Sequence, residues 1–117
     1  MAQHEVTTAR FAGRVVVTAG GETVADSRDA VVLHETGYEP VFYVPVSDVR
    51  NELLEASDHT TRCPHKGKAR YWNIKAGGRV IENAAWAYDT PFDSVADIAG
   101  MVAFYPSKVD AIEATGL

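Results

Sequence analysis

The chain has 117 residues, enough for one compact core but too few for two ordinary domains, so we expect a single domain over 1–117. Its 16 acidic and 11 basic residues give a net charge of -5, which disfavours nucleic acid as the main partner. The one cysteine excludes an internal disulfide. Because the sequence has neither a basic and apolar leader nor an apolar run of about 20 residues, we expect a cytoplasmic protein without a membrane partner.

The first half of the chain predicts β structure. Residues 14–18 and 23–26 flank Gly20-Gly21, and adjacent glycines supply the positive φ angles of a two-residue hairpin turn. The apolar run over 30–35 predicts the third strand of a meander. A fourth strand is predicted over 41–44. Ser47 and Asp48 then follow, and these residues are expected to cap one short helix over 49–54.

The second half predicts another hairpin of the same kind. Residues 67–74 and 79–88 flank Gly77-Gly78, which again suits a two-residue turn. Further elements are a capped turn over 93–98, a strand over 101–105 and an edge strand or short helix over 109–112. With at least six strands and at most one substantial helix, the chain is expected to be mainly β. The predicted architecture is a sandwich or a strongly bent, partly open antiparallel sheet.

One predicted turn collects several groups that can carry charge or react: Arg62, Cys63, His65, Lys66 and Lys68. Lys66 and Lys68 flank Gly67, where a close backbone approach and two ammonium groups could hold a phosphate or a carboxylate. The alternative is a solvated turn with ordinary surface lysines. The turn is therefore the main candidate for the polar part of a site.

The aromatic residues on the following strands predict either a pocket or a packed core. Trp72 and Trp86 lie among several alanines, and large rings over short side chains can leave a concavity. Tryptophans of a small β domain also commonly fill the core, which is the alternative. The pocket interpretation takes these residues as ligand-binding: Tyr43, Cys63, Lys66, Lys68, Trp72, Trp86 and Tyr88.

Cys63 is open to three interpretations, namely a buried structural thiol, a nucleophile and a metal ligand. Its basic neighbours favour the thiolate that a reactive cysteine requires, which makes Cys63 a weak catalytic candidate. Free cysteines, however, are among the most buried residues. With His59 and His65 it lacks the paired cysteine spacing of a structural zinc site, so we expect neither a metal nor a cofactor.

Several segments together resemble the family catalogued as domain of unknown function 427. They are VADS (24–27), PVFYVP (40–45), TRCPHKGKARYW (61–72), AWAY (85–88) and IAGMVAFYP (98–106). The resemblance extends over about 13–114. The family carries a clan label for nucleotidyl transfer, which we discount because the chain shows no paired metal-binding carboxylates opposite a glycine-serine turn.

The resemblance also implies a fold and a place for a site. Members of the family look similar to tent-like half-open barrels such as the thalidomide-binding domain of cereblon and methionine sulfoxide reductase B. Those relatives hold zinc with two cysteine pairs, which Cys63 alone cannot supply. What the resemblance carries over is an aromatic concavity between two sheets, formed here by Tyr43, Trp72, Trp86 and Tyr88.

Three functions are consistent with these observations. The first is a small-molecule-binding β domain whose aromatic and basic pocket accepts an anionic or nucleotide-like ligand. The second is an enzyme that uses Cys63 or a lysine. The third is an interaction module, in which the same aromatic residues form a homodimer surface or fill the core.

Overall fold

A computed structural model describes residues 4–116. Strands make up 60% of it and helical turns 11%, and the strands form three antiparallel sheets without a closed barrel. The prediction of a mainly β fold with sandwich-like packing is therefore confirmed. The helical turns of residues 4–116 are all too short to cross a bilayer.

The described residues contain ten strands. In chain order they are β1 (Val6–Arg10), β2 (Gly13–Ala19), β3 (Glu22–Ser27), β4 (Val31–Glu35), β5 (Val41–Tyr43), β6 (Leu54–Cys63), β7 (Gly67–Ala76), β8 (Arg79–Ala87), β9 (Val102–Phe104) and β10 (Ala111–Gly116). The first sheet has the order β1-β4-β5, the second β10-β2-β3 and the third β6-β7-β8-β9. Single 3-10 turns cover Val46–Asp48 and Asn51–Leu53, and two 3-10 turns with a kink at Val95 cover Asp93–Ile98.

Both glycine hairpins are confirmed, as β2-β3 and β7-β8. The strands predicted around residues 41–44 and 101–105 are confirmed as β5 and β9, and the last segment forms an edge strand, β10. Strands β1 and β6 were not predicted. The sequence therefore indicated the hairpins correctly but gave an incomplete strand list.

The predicted meander is wrong, because β4 pairs with β1 and β5 rather than with β3. A hydrogen-bonded bend after β3 explains the change of sheet. The Ser27 hydroxyl donates to the Asp48 carboxylate at 2.6 Å and accepts the Asp29 backbone N–H at 3.0 Å. The bend turns the chain away from the second sheet before β4 begins.

The single helix predicted over 49–54 is also wrong. The chain forms the two separate 3-10 turns Val46–Asp48 and Asn51–Leu53, and neither has a side-chain cap. The Asp48 carboxylate, expected to cap the helix, instead accepts the Ser27 hydroxyl. A residue committed to this tertiary contact is not free to stabilise the first turn of an α-helix.

Strand β7 separates two apolar clusters, because alternate side chains of a strand point to opposite faces. Trp72 and Ile74 pack toward the second sheet. Ala69 and Tyr71 pack toward the first sheet, within a cluster rich in aromatic residues. A backbone bridge between Val44 and Val102, with both N–O distances 2.8 Å, links the edges of the first and third sheets. The linked sheets form a bent surface that carries the aromatic cluster.

The two glycine hairpin turns touch each other. A Cβ added at Gly20 would lie 2.6 Å from the Ala76 backbone, and one added at Gly77 would lie 2.6 Å from the Gly20 carbonyl oxygen. Their neighbours Gly21 and Gly78 also have positive φ angles but face open space. The first glycine of each turn therefore serves both the backbone conformation and the contact between sheets, whereas the second serves only the conformation.

This difference gives a stability prediction with an internal control. We expect Gly21→Ala and Gly78→Ala to cost about 1–2 kcal/mol, since the left-handed conformation alone penalises a Cβ. Gly20→Ala and Gly77→Ala should cost about 1–3 kcal/mol more, because the added methyl group overlaps backbone atoms. Urea unfolding of the four variants measures the difference. Equal losses at both positions of each turn would contradict the turn contact.

Candidate functional site

A cleft of about 750 Å³ opens between the first and third sheets. Its volume lies in the range that small-molecule sites occupy in proteins. Tyrosine and tryptophan contribute six lining side chains, of which Tyr38 is exposed and the other five are buried or half-buried: Tyr43, Tyr71, Trp86, Tyr88 and Tyr105. Ala69 and Ala103 are fully buried in the same apolar cluster as these rings.

The strand register explains why these rings meet. Tyr71 on β7 lies directly opposite Trp86 on β8, so the two side chains share a face of the sheet. The Trp86 ring lies 4.4 Å from the Tyr105 ring and meets the Tyr43 ring edge-on at 6.3 Å. The edge-on arrangement is one that aromatic pairs favour. The rings therefore form a connected wall contributed by several strands.

Three phenol groups of the cleft, those of Tyr43, Tyr88 and Tyr105, remain protonated at neutral pH. Burial raises the pKa of Tyr43 and of Tyr88 far above the ordinary value. Burial, reinforced by the hydroxyl of Tyr71 at 3.2 Å, raises the pKa of Tyr105 to about 12. The Tyr43 hydroxyl accepts the Trp86 Nε1–H at 3.4 Å, which leaves its own proton available. The wall thus combines apolar ring faces with hydrogen-bond donors.

An ion pair closes one side of the cleft mouth. Lys66 Nζ donates to Glu35 Oε1 at 2.8 Å, and the two side chains are only 11% and 12% exposed. Lys66 lies in the β6-β7 turn, where its carbonyl oxygen accepts the Phe92 backbone N–H at 3.0 Å. Gly67, with φ of +116°, lets the chain begin β7 directly after Lys66. The pair therefore joins the third sheet to the end of β4.

Burial and pairing act in opposite directions on these two groups. Burial alone would raise the pKa of Glu35 and lower that of Lys66. The hydrogen bond and the opposite charge outweigh burial, so the pKa of Glu35 falls below its ordinary value and that of Lys66 rises above it. The proximity of Cys63 adds to the rise at Lys66. Both members of the pair are therefore charged at neutral pH.

Two histidines complete the mouth. His4 Nε2 lies 3.1 Å from Glu35 Oε2, and the His4 ring stacks on the His65 ring with a centroid distance of 4.2 Å and an angle of 25°. One ligand atom from each of His4, Glu35 and His65 lies within 4.8 Å of the others. The carboxylate of Glu35 thus contacts an ammonium group on one side and an imidazole on the other.

The structure brings together five of the seven residues that sequence analysis selected. They are Tyr43, Cys63, Lys66, Trp86 and Tyr88, which all line the cleft. Trp72 lies on the opposite face of β7, 8% exposed, beneath the Arg70 guanidinium at 4.3 Å. Lys68 is exposed on that face and does not line the cleft.

Sequence analysis did not select Glu35, His4, Tyr71 or Tyr105 for the site. A signal for Tyr71 was present, because a two-residue turn at Gly77-Gly78 places Tyr71 and Trp86 on one face and Trp72 on the other. No local signal marks His4 or Glu35. They are far from His65 in sequence, and they reach it only through the pairing of β1 with β4 and the closure of the first sheet against the third.

With this geometry established, comparison with known proteins gives a family. The family model described as domain of unknown function DUF427 matches residues 7–115, which is nearly the whole chain. The chain therefore belongs to this family, which confirms the resemblance noted in the sequence. No curated protein is significantly similar to the chain.

The Lys66–Glu35 pair predicts a specific dependence of stability on pH. The pKa of Glu35 in the folded state is below the ordinary 4.5, so the pair stabilises the fold above that pH. This contribution is lost as the pH falls through the folded-state value. The raised pKa of Lys66 keeps it charged throughout this range. We expect Lys66→Met to cost about 1–3 kcal/mol at neutral pH, and this cost to shrink as the pH is lowered through and below 4.5.

Urea unfolding across this pH range measures the effect, and Lys68→Met is the matched control. Lys68 flanks the same glycine but is exposed, so its replacement should change stability by less than about 0.5 kcal/mol. Two lysine variants with the same loss, or a Lys66→Met loss that is constant with pH, would contradict the assignment of this pair.

Proposed function

We propose that this member of the DUF427 family binds a small planar molecule in the cleft and that Lys66 and the tyrosine hydroxyls hold an acidic group of that molecule. The observation that carries the proposal is the cleft of about 750 Å³ with five buried or half-buried aromatic side chains beside a nearly buried ammonium group. Apolar walls with a few convergent polar groups are the usual design of small-molecule sites. Ring faces would cover the planar part of the ligand.

The donor inventory supports an acidic group on the ligand. Lys66 is a charged donor, and the raised pKa values of Tyr43 and Tyr88 keep their hydroxyl protons in place. Among residues 4–116, the Tyr88 hydroxyl makes no hydrogen bond, which leaves it free for a ligand. Carboxylate and phosphate oxygens accept such donors strongly. A nucleotide-like ligand fits if its base lies against the rings and its phosphate meets Lys66.

Glu35 sets the electrostatic character of this site. Its carboxylate already neutralises Lys66, so a ligand anion meets donors in a locally balanced site rather than an unpaired positive charge. Affinity then depends on hydrogen-bond geometry and desolvation more than on long-range attraction. Binding is therefore expected to depend only weakly on salt.

An enzyme that uses Cys63 is the second candidate function. The half-buried Cys63 lines the cleft next to Lys66, so its thiol could meet a molecule bound there. A nucleophilic Lys66 is disfavoured, because its raised pKa keeps the amine protonated. Reaction of the folded protein with a small alkylating reagent across pH tests the cysteine version. If Cys63 does not react, an enzyme that uses this cysteine is excluded, and the binding proposal is unaffected.

Tryptophan fluorescence tests the binding proposal with a built-in control. Trp86 lines the cleft, whereas Trp72 lies on the opposite face of β7. A fragment set of planar aromatic carboxylates and phosphates should change the fluorescence of the wild type and of Trp72→Phe. The response should disappear in Trp86→Phe. A folded wild type that binds none of these fragments, or a response that depends on Trp72 alone, would contradict the proposal. If the tryptophan fluorescence changes with protein concentration in the absence of any fragment, the protein self-associates instead.

The same titration compares the two members of the ion pair. Lys66→Met should weaken binding by about 10- to 100-fold, the equivalent of one charge-assisted hydrogen bond of about 1.5–3 kcal/mol. Glu35→Gln should weaken binding less than Lys66→Met, because it loosens the contact between the two sheets but also removes the carboxylate that competes with the ligand for Lys66. Circular dichroism confirms that each variant is folded. Equal weakening by both substitutions would argue against direct contact between the ligand and Lys66.

A further inference from the structure

We propose that His4, Glu35 and His65 form a binding site for one divalent transition-metal ion at the mouth of the cleft. This inference goes beyond the binding of a planar ligand and does not require it. The three residues come from separate parts of the chain: the segment before β1, the end of β4 and the β6-β7 turn. The fold therefore assembles the group from distant positions in the sequence.

The geometry is close to that of a coordinated ion. One ligand atom from each residue lies within 4.8 Å of the other two, and His4 Nε2 is 3.1 Å from Glu35 Oε2. Ligands about 2.0–2.1 Å from zinc at tetrahedral angles lie roughly 3.3 Å apart. The His4–Glu35 spacing already matches this value. A side-chain adjustment of His65, which is exposed, would bring the third ligand into place.

Glu35 is held in an orientation that suits this role. Lys66 binds its Oε1 atom at 2.8 Å, while Oε2 points toward His4. An ordered partner on one oxygen of a carboxylate fixes the direction of the other, as outer-shell partners do in metal sites. Glu35 would therefore act as a ligand through a single oxygen.

The donor set indicates which ions fit. Imidazole nitrogens suit zinc, copper, iron and nickel, whereas magnesium and calcium prefer sites made of oxygen alone. Two histidines and one carboxylate also leave coordination positions open, as in catalytic rather than structural zinc sites. Those positions lie at the mouth of the same cleft that Tyr43 and Trp86 line. A ligand bound in the cleft could reach them, so the metal ion could coordinate that ligand directly.

Metal titration of the full chain, prepared without a histidine tag, tests this proposal. We expect isothermal titration with Zn²⁺ to show one ion per chain, and Co²⁺ to give visible absorption bands typical of a site with nitrogen and oxygen ligands. Even outer-shell changes typically cost 10- to 100-fold in metal affinity, so His4→Ala and His65→Ala should each cost about 100-fold or more. Glu35→Gln should also weaken binding strongly.

His34→Ala is the matched control. His34 is an exposed histidine on β4 next to Glu35, and adjacent strand residues point to opposite faces. Its replacement should leave the affinity and the Co²⁺ spectrum unchanged. The proposal would be overturned if wild-type protein bound neither ion. It would equally be overturned if the His4→Ala/His65→Ala double variant bound as tightly as wild type, or if His34→Ala lost as much affinity as either single variant.

Discussion

The ion pair between Lys66 and Glu35 is the contact on which the site depends. It connects the β6-β7 turn to the end of β4 across the mouth of the cleft, while the Val44–Val102 bridge links the same two sheets elsewhere. Apolar rings in water tend to close on one another. A nearly buried charged pair that joins the two sheets resists their displacement, because breaking it would leave an uncompensated buried charge. The aromatic walls can then stay apart.

Glu35 couples the two proposed sites. Its Oε1 atom holds Lys66, which would meet an acidic ligand, and its Oε2 atom faces His4, which would bind a metal ion. A cation placed on Oε2 would weaken the hold of the carboxylate on Lys66, so the ammonium group would become a better donor for the ligand. The metal ion would then raise the affinity for the ligand, and by thermodynamic linkage the ligand would raise the affinity for the metal ion by the same factor.

Local physics made part of this molecule predictable. The glycine pairs Gly20-Gly21 and Gly77-Gly78 indicated hairpins, since their positive φ angles are a property of the turn itself. Strand β6 escaped prediction because it is a polar edge strand whose exposed residues show no alternation. The register of β7 and β8 was predictable from the two-residue turn, and it places Trp72 on the face opposite Trp86. Finding this required pairing the two strands residue by residue from the turn outward. The meeting of His4, Glu35 and His65 depends on tertiary closure, which no local pattern in the sequence encodes.

A double-mutant cycle at neutral pH measures the interaction between Lys66 and Glu35 itself. The free energies of unfolding of wild type, Lys66→Met, Glu35→Gln and the double variant give the coupling between the two side chains. We expect a coupling of about 1–3 kcal/mol, with the double variant less destabilised than the sum of the single variants. Strictly additive losses would show that the pair does not form, and the ion pair would then not be what holds the cleft open.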